Sequence, residues 1–170
     1  AIPVVAALRD GLVANDIAGI YGILNGTCNY ILSRMELDGV PYQEALEQAK
    51  ELGYAEADPT MDVDGTDTAQ KLAILAQIAF NTNVPYNAVH VEGIENISPD
   101  DLASAKRLDC RIKLLGVARR GAGGVELRVA PTLVPKSNPL AHVNENFNAI
   151  RIMANNAGPT LLVGLGAGDT

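Results

Sequence analysis

Cysteine is nearly absent: Cys28 and Cys110 are the only two in 170 residues. That is too few for a disulfide framework. Positive charge is also in short supply, with 13 basic against 20 acidic residues and a net charge of −7. An acidic chain without a Lys/Arg cluster suits neither nucleic acid nor an anionic membrane surface. No apolar run approaches the ~18 residues of a membrane span. A charged n-region followed by an h-region is missing, so no secretory signal is expected and the cytosol is the default address. Histidine occurs only at 90 and 142, with no second ligand at metal spacing, so a metal centre on them is not expected. No repeat, linker or low-complexity stretch divides residues 1–170. What is present is a core: 48% of residues are apolar and 19% charged. A chain of this length buries roughly two-thirds of its unfolded surface.

Periodicity predicts the elements. Ile2–Gly11 reads as a short helix with Pro3 in its first turn. Ile17–Leu24 is apolar with Gly19 and Gly22, a buried strand approached by other backbone. Thr27 can cap a helix to about Leu37. Pro41 starts and Gly53 stops the next helix, whose stripe is Tyr42, Ala45, Leu46, Ala49 and Leu52. Tyr54–Gly65 reads as a polar loop. Thr66–Phe80 is a helix with little polar face, hence central. Val84–Glu95 leads into a strand. Ser98-Pro99-Asp100-Asp101 starts a helix to about Leu108. Ile112–Ala118 and Val125–Leu133 form a hairpin, and strands at 149–154 and 160–164 follow. The expected fold is α+β, one domain over residues 1–170: a mostly antiparallel or mixed sheet with helices packed on one face.

Chemistry concentrates between Gly53 and Lys71. Glu56, Asp58, Asp62, Asp64 and Asp67 precede a single lysine. Asp67 and Lys71 share a helix face, which continues into Ile74, Leu75 and Ile78. Apolar neighbours lower a lysine pKa and a carboxylate raises it, so such a lysine can pass a proton. An ordinary surface ion pair fits the same spacing. Crowded acids call for a cation: Lys71, a metal ion, or a ligand ammonium. Asp62–Asp67 has carboxylates at alternate positions but neither the frame nor the closing Glu of a calcium loop, and no metal site is assigned. Cys28 lacks a base nearby in sequence and reads as a buried small apolar residue. Arg119-Arg120 reads as a solvated hairpin tip.

Residues 22–32, GILNGTCNYIL, resemble a stretch of the homoserine dehydrogenase family. Residues 52–72, LGYAEADPTMDVDGTDTAQKL, resemble that family's long ordered motif. Pro131–Pro135, Pro139–Ala141 and Asn148–Ile150 resemble its later motifs, so the likeness covers essentially the whole chain. It implies the fold of that family's catalytic domain. It implies an oxidoreductase that interconverts L-aspartate 4-semialdehyde and L-homoserine with NAD(P)H, on the route to threonine, methionine and isoleucine. Hydride adds to the aldehyde carbon, and the resulting alkoxide must be stabilised and protonated. The resemblance assigns Lys71 and Asp67 to catalysis. It assigns Thr27, Tyr54, Glu56 and Asp62 to the substrate, whose ammonium group accounts for the acidic segment. It places Gly164, Gly166 and Gly168 near the cofactor, with Leu165 where Pro is usual.

The resemblance also carries expectations about extent. The start at Ala1 without Met and the stop at Thr170 after a glycine-rich strand end read as those of a fragment. The family's second catalytic lysine and its Rossmann domain have no counterpart in these residues. NAD(P) is therefore expected to be bound mainly by a domain absent from this chain, and the fragment to be inactive alone. Asn138 stands where the family often has His. Family members pair through this domain, so a homodimer is expected. The alternative reading is an isolated dimerisation module without activity.

Overall fold

The computed structural model describes residues 2–167. Its sheet is built outward from β1 (Ile17–Ile23), whose aliphatic residues and two glycines let a strand run on each side. β1 pairs antiparallel with β3 (Cys110–Gly121) and with β5 (Phe147–Ala154). β3 turns back through Gly121-Gly124 into β4 (Gly124–Pro135), and β5 into β6 (Gly158–Leu165). A two-residue strand, β2 (His90–Val91), joins β4 in parallel. The order is β2-β4-β3-β1-β5-β6, a mixed six-stranded sheet with helices, as expected.

The helices are α1 (Val4–Ala6), α2 (Gly26–Asp38), α3 (Tyr42–Glu51), α4 (Thr60–Val63), α5 (Thr66–Phe80) and α6 (Pro99–Arg107). α5 is the central one: Leu72, Ala73, Leu75, Ala76 and Phe80 are buried on it. With Ile31 and Met35 of α2 they pack on Ile20, Leu114, Ala118, Val129 and Ile152 of the sheet. α6 opens with a reciprocal Ser98–Asp101 capping box and a proline in its first turn, as its sequence indicates.

Several expectations need correction. α1 continues not as α-helix but as a π turn over Ala7–Gly11, closed by Leu12 N–H donating to Ala7 C=O at 2.9 Å. The cap of α2 is Asn25, not Thr27: its side chain accepts from Cys28 N–H. Leu52 ends the α3 stripe at the C-cap and is 55% exposed. The strand expected over 84–95 shrinks to His90–Val91, because Pro85 leads into a 3-10 turn at Tyr86–Ala88. After Glu92 N–H donates to Val129 C=O, the chain leaves the sheet and Ile94 N–H donates to Val63 C=O. Gly93 permits this turn-off, since a Cβ there would lie 2.2 Å from Val63 O. The loop expected over 54–65 contains α4. Asn138 caps a 3-10 turn at Pro139–His142, accepting from Leu140 N–H.

The sheet's other face carries a second cluster of Ile23, Leu115, Val117, Val134 and Ala149, covered in part by Leu140, Ala141 and Val143.

Candidate active site

The acidic segment 54–67 is held against the first turn of α2 by that turn's own side chains. Thr27 Oγ1 donates to Tyr54 C=O. The Cys28 thiol lies 3.1 Å from Asp62 C=O as a donor. The Asn25 amide donates to Asp62 Oδ1 at 2.6 Å and to Asp67 Oδ2 at 3.0 Å. Tyr30 and Tyr54 meet edge to face with centroids 5.1 Å apart. β1 delivers this turn to the end of the sheet, so the segment is fixed to the most buried strand of the molecule.

The acids then divide by task. Asp58 accepts from Thr60 N–H and Oγ1 at the start of α4, and those bonds hold its carboxyl below the usual range. Asp64 accepts from Thr66 N–H at the start of α5. Asp62 and Asp67 face each other across Asn25. Burial pushes the Asp62 carboxyl up; the Asn25 hydrogen bond pulls it down; Asp67 raises it and Lys71 lowers it. The crowding inferred from sequence is therefore relieved at Asp58 and Asp64 by backbone donors, and persists at Asp62 and Asp67.

Lys71 completes the group. Its Nζ is 2.7 Å from Asp67 Oδ2 and 3.2 Å from Leu24 C=O. The side chain is 48% exposed, so its apolar neighbours shield it only in part. Asn148 Nδ2 donates to the same Leu24 C=O at 3.2 Å. Lys71 stands between two hollows. One, of about 600 Å³, is lined by Thr27, Tyr54, Glu56, Asp58, Asp62 and Asp67, with Gly166 and Ala167 closing it. The other, of about 300 Å³, is apolar, with Ile2, Val4, Val5, Ile74 and Leu165 around Lys71. Four carboxylates against one ammonium give the larger hollow a negative field that favours a cationic guest.

Six of the sequence-identified residues, Thr27, Tyr54, Glu56, Asp62, Asp67 and Lys71, thus line one hollow, and Gly166 joins them. Gly164 lies apart from it, where an added Cβ would stand 3.0 Å from Ile2. Gly168 lies outside the described residues. Sequence reasoning missed Asn25 and Gly26. A Cβ on Gly26 would lie 2.8 Å from Ala167 N, Asn146 O and Gly166 C. The close approach of the β6 end to α2 therefore requires glycine there. Cys28 is fully buried, and burial with the Asp62 charge pushes its thiol up. That environment disfavours the thiolate a nucleophile needs.

Comparison with known proteins gives the chain its relatives. The family described as homoserine dehydrogenase matches residues 3–170. The homoserine dehydrogenase of Neisseria gonorrhoeae is 48% identical over 167 residues, 98% of this chain and 38% of the relative. The crystal structure of a homoserine dehydrogenase from Thiobacillus denitrificans superposes with a TM-score of 0.95 at 47% identity, covering 99% of this chain and 39% of that one. A hyperthermophilic archaeal homoserine dehydrogenase in complex with NADPH superposes at 0.80 with 29% identity, covering 98% of this chain and 47% of that one. The chain thus spans between 38% and 47% of the length of these relatives. With that family's model matched over residues 3–170, the chain belongs to the homoserine dehydrogenase family.

Proposed function

We propose that this chain forms the substrate-binding and catalytic part of an NAD(P)-dependent homoserine dehydrogenase, interconverting L-aspartate 4-semialdehyde and L-homoserine. The observation that carries the reading is Lys71, among the described residues the one cation of a hollow lined by four carboxylates and adjoining an apolar groove.

The substrate's ammonium group sits among Glu56, Asp62 and Asp67, where the field is negative. Its aldehyde oxygen lies toward Lys71, whose ammonium stabilises the charge growing on that oxygen and donates the proton that makes the alcohol. Asp67 fixes the Lys71 side chain through their 2.7 Å ion pair, and a proton from water restores the Lys71 ammonium after each turnover. Thr27 and Tyr54 shape the wall. In the reverse direction Lys71 takes the hydroxyl proton, and the same roles run backward.

The apolar groove beside Lys71 fits the flat ring of a nicotinamide but not a whole dinucleotide. Among the described residues no glycine-rich strand-to-helix turn is present to hold a pyrophosphate. Gly166 and Leu165 would border the ring, and when bound the cofactor supplies the hydride. The rest of NAD(P) is bound by residues outside this chain, and the chain alone is inactive.

A full-length chain carrying residues 1–170 tests the reading. Wild type should oxidise NADPH or NADH when given L-aspartate 4-semialdehyde, followed by absorbance. Lys71→Ala should lose at least ~100-fold in kcat with its fold intact. Wild-type turnover in Lys71→Ala removes Lys71 from the role of proton donor.

The homodimer belongs to the same proposal. Leu161 and Val163 of β6 and Phe147 of β5 are 38%, 52% and 40% exposed. Cross-strand register places them together on the sheet face away from the helices. The alternative reading, an association module without activity, rests on that surface.

A further inference from the structure

The turn between β1 and α2 touches Asp62, Asp67 and Lys71. Leu24 C=O accepts from Lys71, and the Asn25 side chain reaches both Asp62 and Asp67. Asn25 is 5% exposed, and its orientation is not free. Its Oδ1 accepts from Cys28 N–H at 2.8 Å, a group that can only donate. Its Nδ2 must then face the carboxylates, which when ionised can only accept. One amide nitrogen spends both its hydrogens on two anions that otherwise repel each other.

We propose that Asn25 is a positioning residue of this site: its carboxamide holds the Asp62 and Asp67 carboxylates side by side, so that Asp62 takes the amino end of the substrate while Asp67 aligns Lys71. The assignment rests on the substrate-site reading above and deepens it. The Asn25 amide needs no contact with substrate to do this. Helix capping and carboxylate clamping use opposite ends of one side chain, so substitutions can separate them.

Asn25→Asp keeps the size of the side chain and the capping oxygen and removes both clamping donors. A carboxylate at an N-cap is a good cap. Asn25→Ser keeps a cap and offers a single short donor that cannot serve both acids. In the full-length enzyme Asn25→Asp should lose at least ~100-fold in kcat/KM at pH 7.5, because the two acids and Lys71 are misplaced. Activity should recover partly toward lower pH, where the new carboxyl gains a proton and donates again. Asn25→Ser should lose ~10-fold, without that recovery. Both should keep the wild-type circular dichroism; Asn25→Ser should melt within a few degrees of wild type, and Asn25→Asp lower, because its carboxylate joins two others.

Wild-type kcat/KM and pH profile in Asn25→Asp overturn the proposal. Equal losses in both variants with no pH-dependent recovery and a collapsed melting temperature overturn it as well, because Asn25 is then only a cap. A second readout does not depend on turnover: carbon-13 NMR titration of the Asp62 carboxyl, which should move upward in Asn25→Ser. If wild type itself fails to turn over the aldehyde, the substrate-site reading falls, and the titration alone decides the clamp. An unmoved Asp62 overturns the clamp in either case.

Discussion

At the scale of single residues, Lys113 is the most heavily constrained charge in the molecule. It is 1% exposed, and donates to Val143 C=O at 2.6 Å, Asn29 Oδ1 at 3.0 Å and Asn144 Oδ1 at 3.2 Å. Burial lowers its pKa to about 8; the nearby Glu36 and Glu145 raise it, and Arg111 lowers it. The proton is therefore held less tightly in the folded chain than in the unfolded one. Below about pH 8 both states carry it, and the penalty of burying the charge is present in full. Between about 8 and 10.5 only the unfolded chain carries it, so stability rises with pH in that window. The rise attributable to this residue is about 3 kcal/mol. Urea denaturation of wild type and Lys113→Met across pH 7 to 10 checks it. The variant also strands three acceptors and loses absolute stability. The stability of wild type minus that of the variant should nevertheless climb with pH, and a flat difference contradicts the assignment. Nothing in Arg111-Ile112-Lys113-Leu114 marks this lysine as buried: a strand alternation normally sends such a residue to water, and its partners are Asn29, 84 residues away, and Val143, 30 residues away.

At the scale of elements, the site depends on the end of β6 lying over the first turn of α2. Gly166 N–H donates to Asn146 C=O at 2.8 Å, and Asn146 Nδ2 to Ala167 C=O at 2.7 Å. Gly26 leaves the space for this. Gly26→Ala should cost about 1–3 kcal/mol, the usual range for overpacking. Because the 166–167 backbone closes the proposed substrate hollow, the same variant should raise KM for the aldehyde more than it lowers kcat. Thermal melts and steady-state kinetics on one preparation would show both, and an unchanged KM with normal stability would count against the contact. The contrast between Gly26 and the helices shows what was legible. α3, α5 and α6 are written in their own residues, through period, caps and terminal glycine, and the acidic segment sits in a single local run. The likeness of residues 52–72 to a family supplied the chemistry proposed for it. Asn25 was not legible, because its partners are 37 and 42 residues away. β2 was overcalled because apolar residues at Val89, Val91 and Ile94 do not reveal that Gly93 sends the chain back to α4. Strand register, which brings residues 19–23 beside 149–153, is likewise set by distant pairing.

At the scale of the whole molecule, the helices cover one face of the sheet, and the other keeps apolar side chains in contact with water. On β6 the alternation is plain: Leu162 packs toward the helix-side core, while Leu161 and Val163 point the opposite way. β6 is also an edge strand, with one ladder of backbone groups unpaired by β5. An edge strand with an apolar outer face is a hazard unless something covers it. A second copy would bury the same patch twice about a two-fold axis. Val163→Glu then places two like charges near each other at the middle of the contact, which strongly opposes association. The proposed dimer predicts that light scattering after size exclusion gives twice the chain mass for wild type and the single mass for Val163→Glu. Circular dichroism should be unchanged, since Val163 is 52% exposed in the isolated chain. A wild-type monomer would overturn the dimer, and a Val163→Glu dimer would move the association surface elsewhere. The active-site reading would survive either result, because no side chain lining the acidic hollow lies on that face.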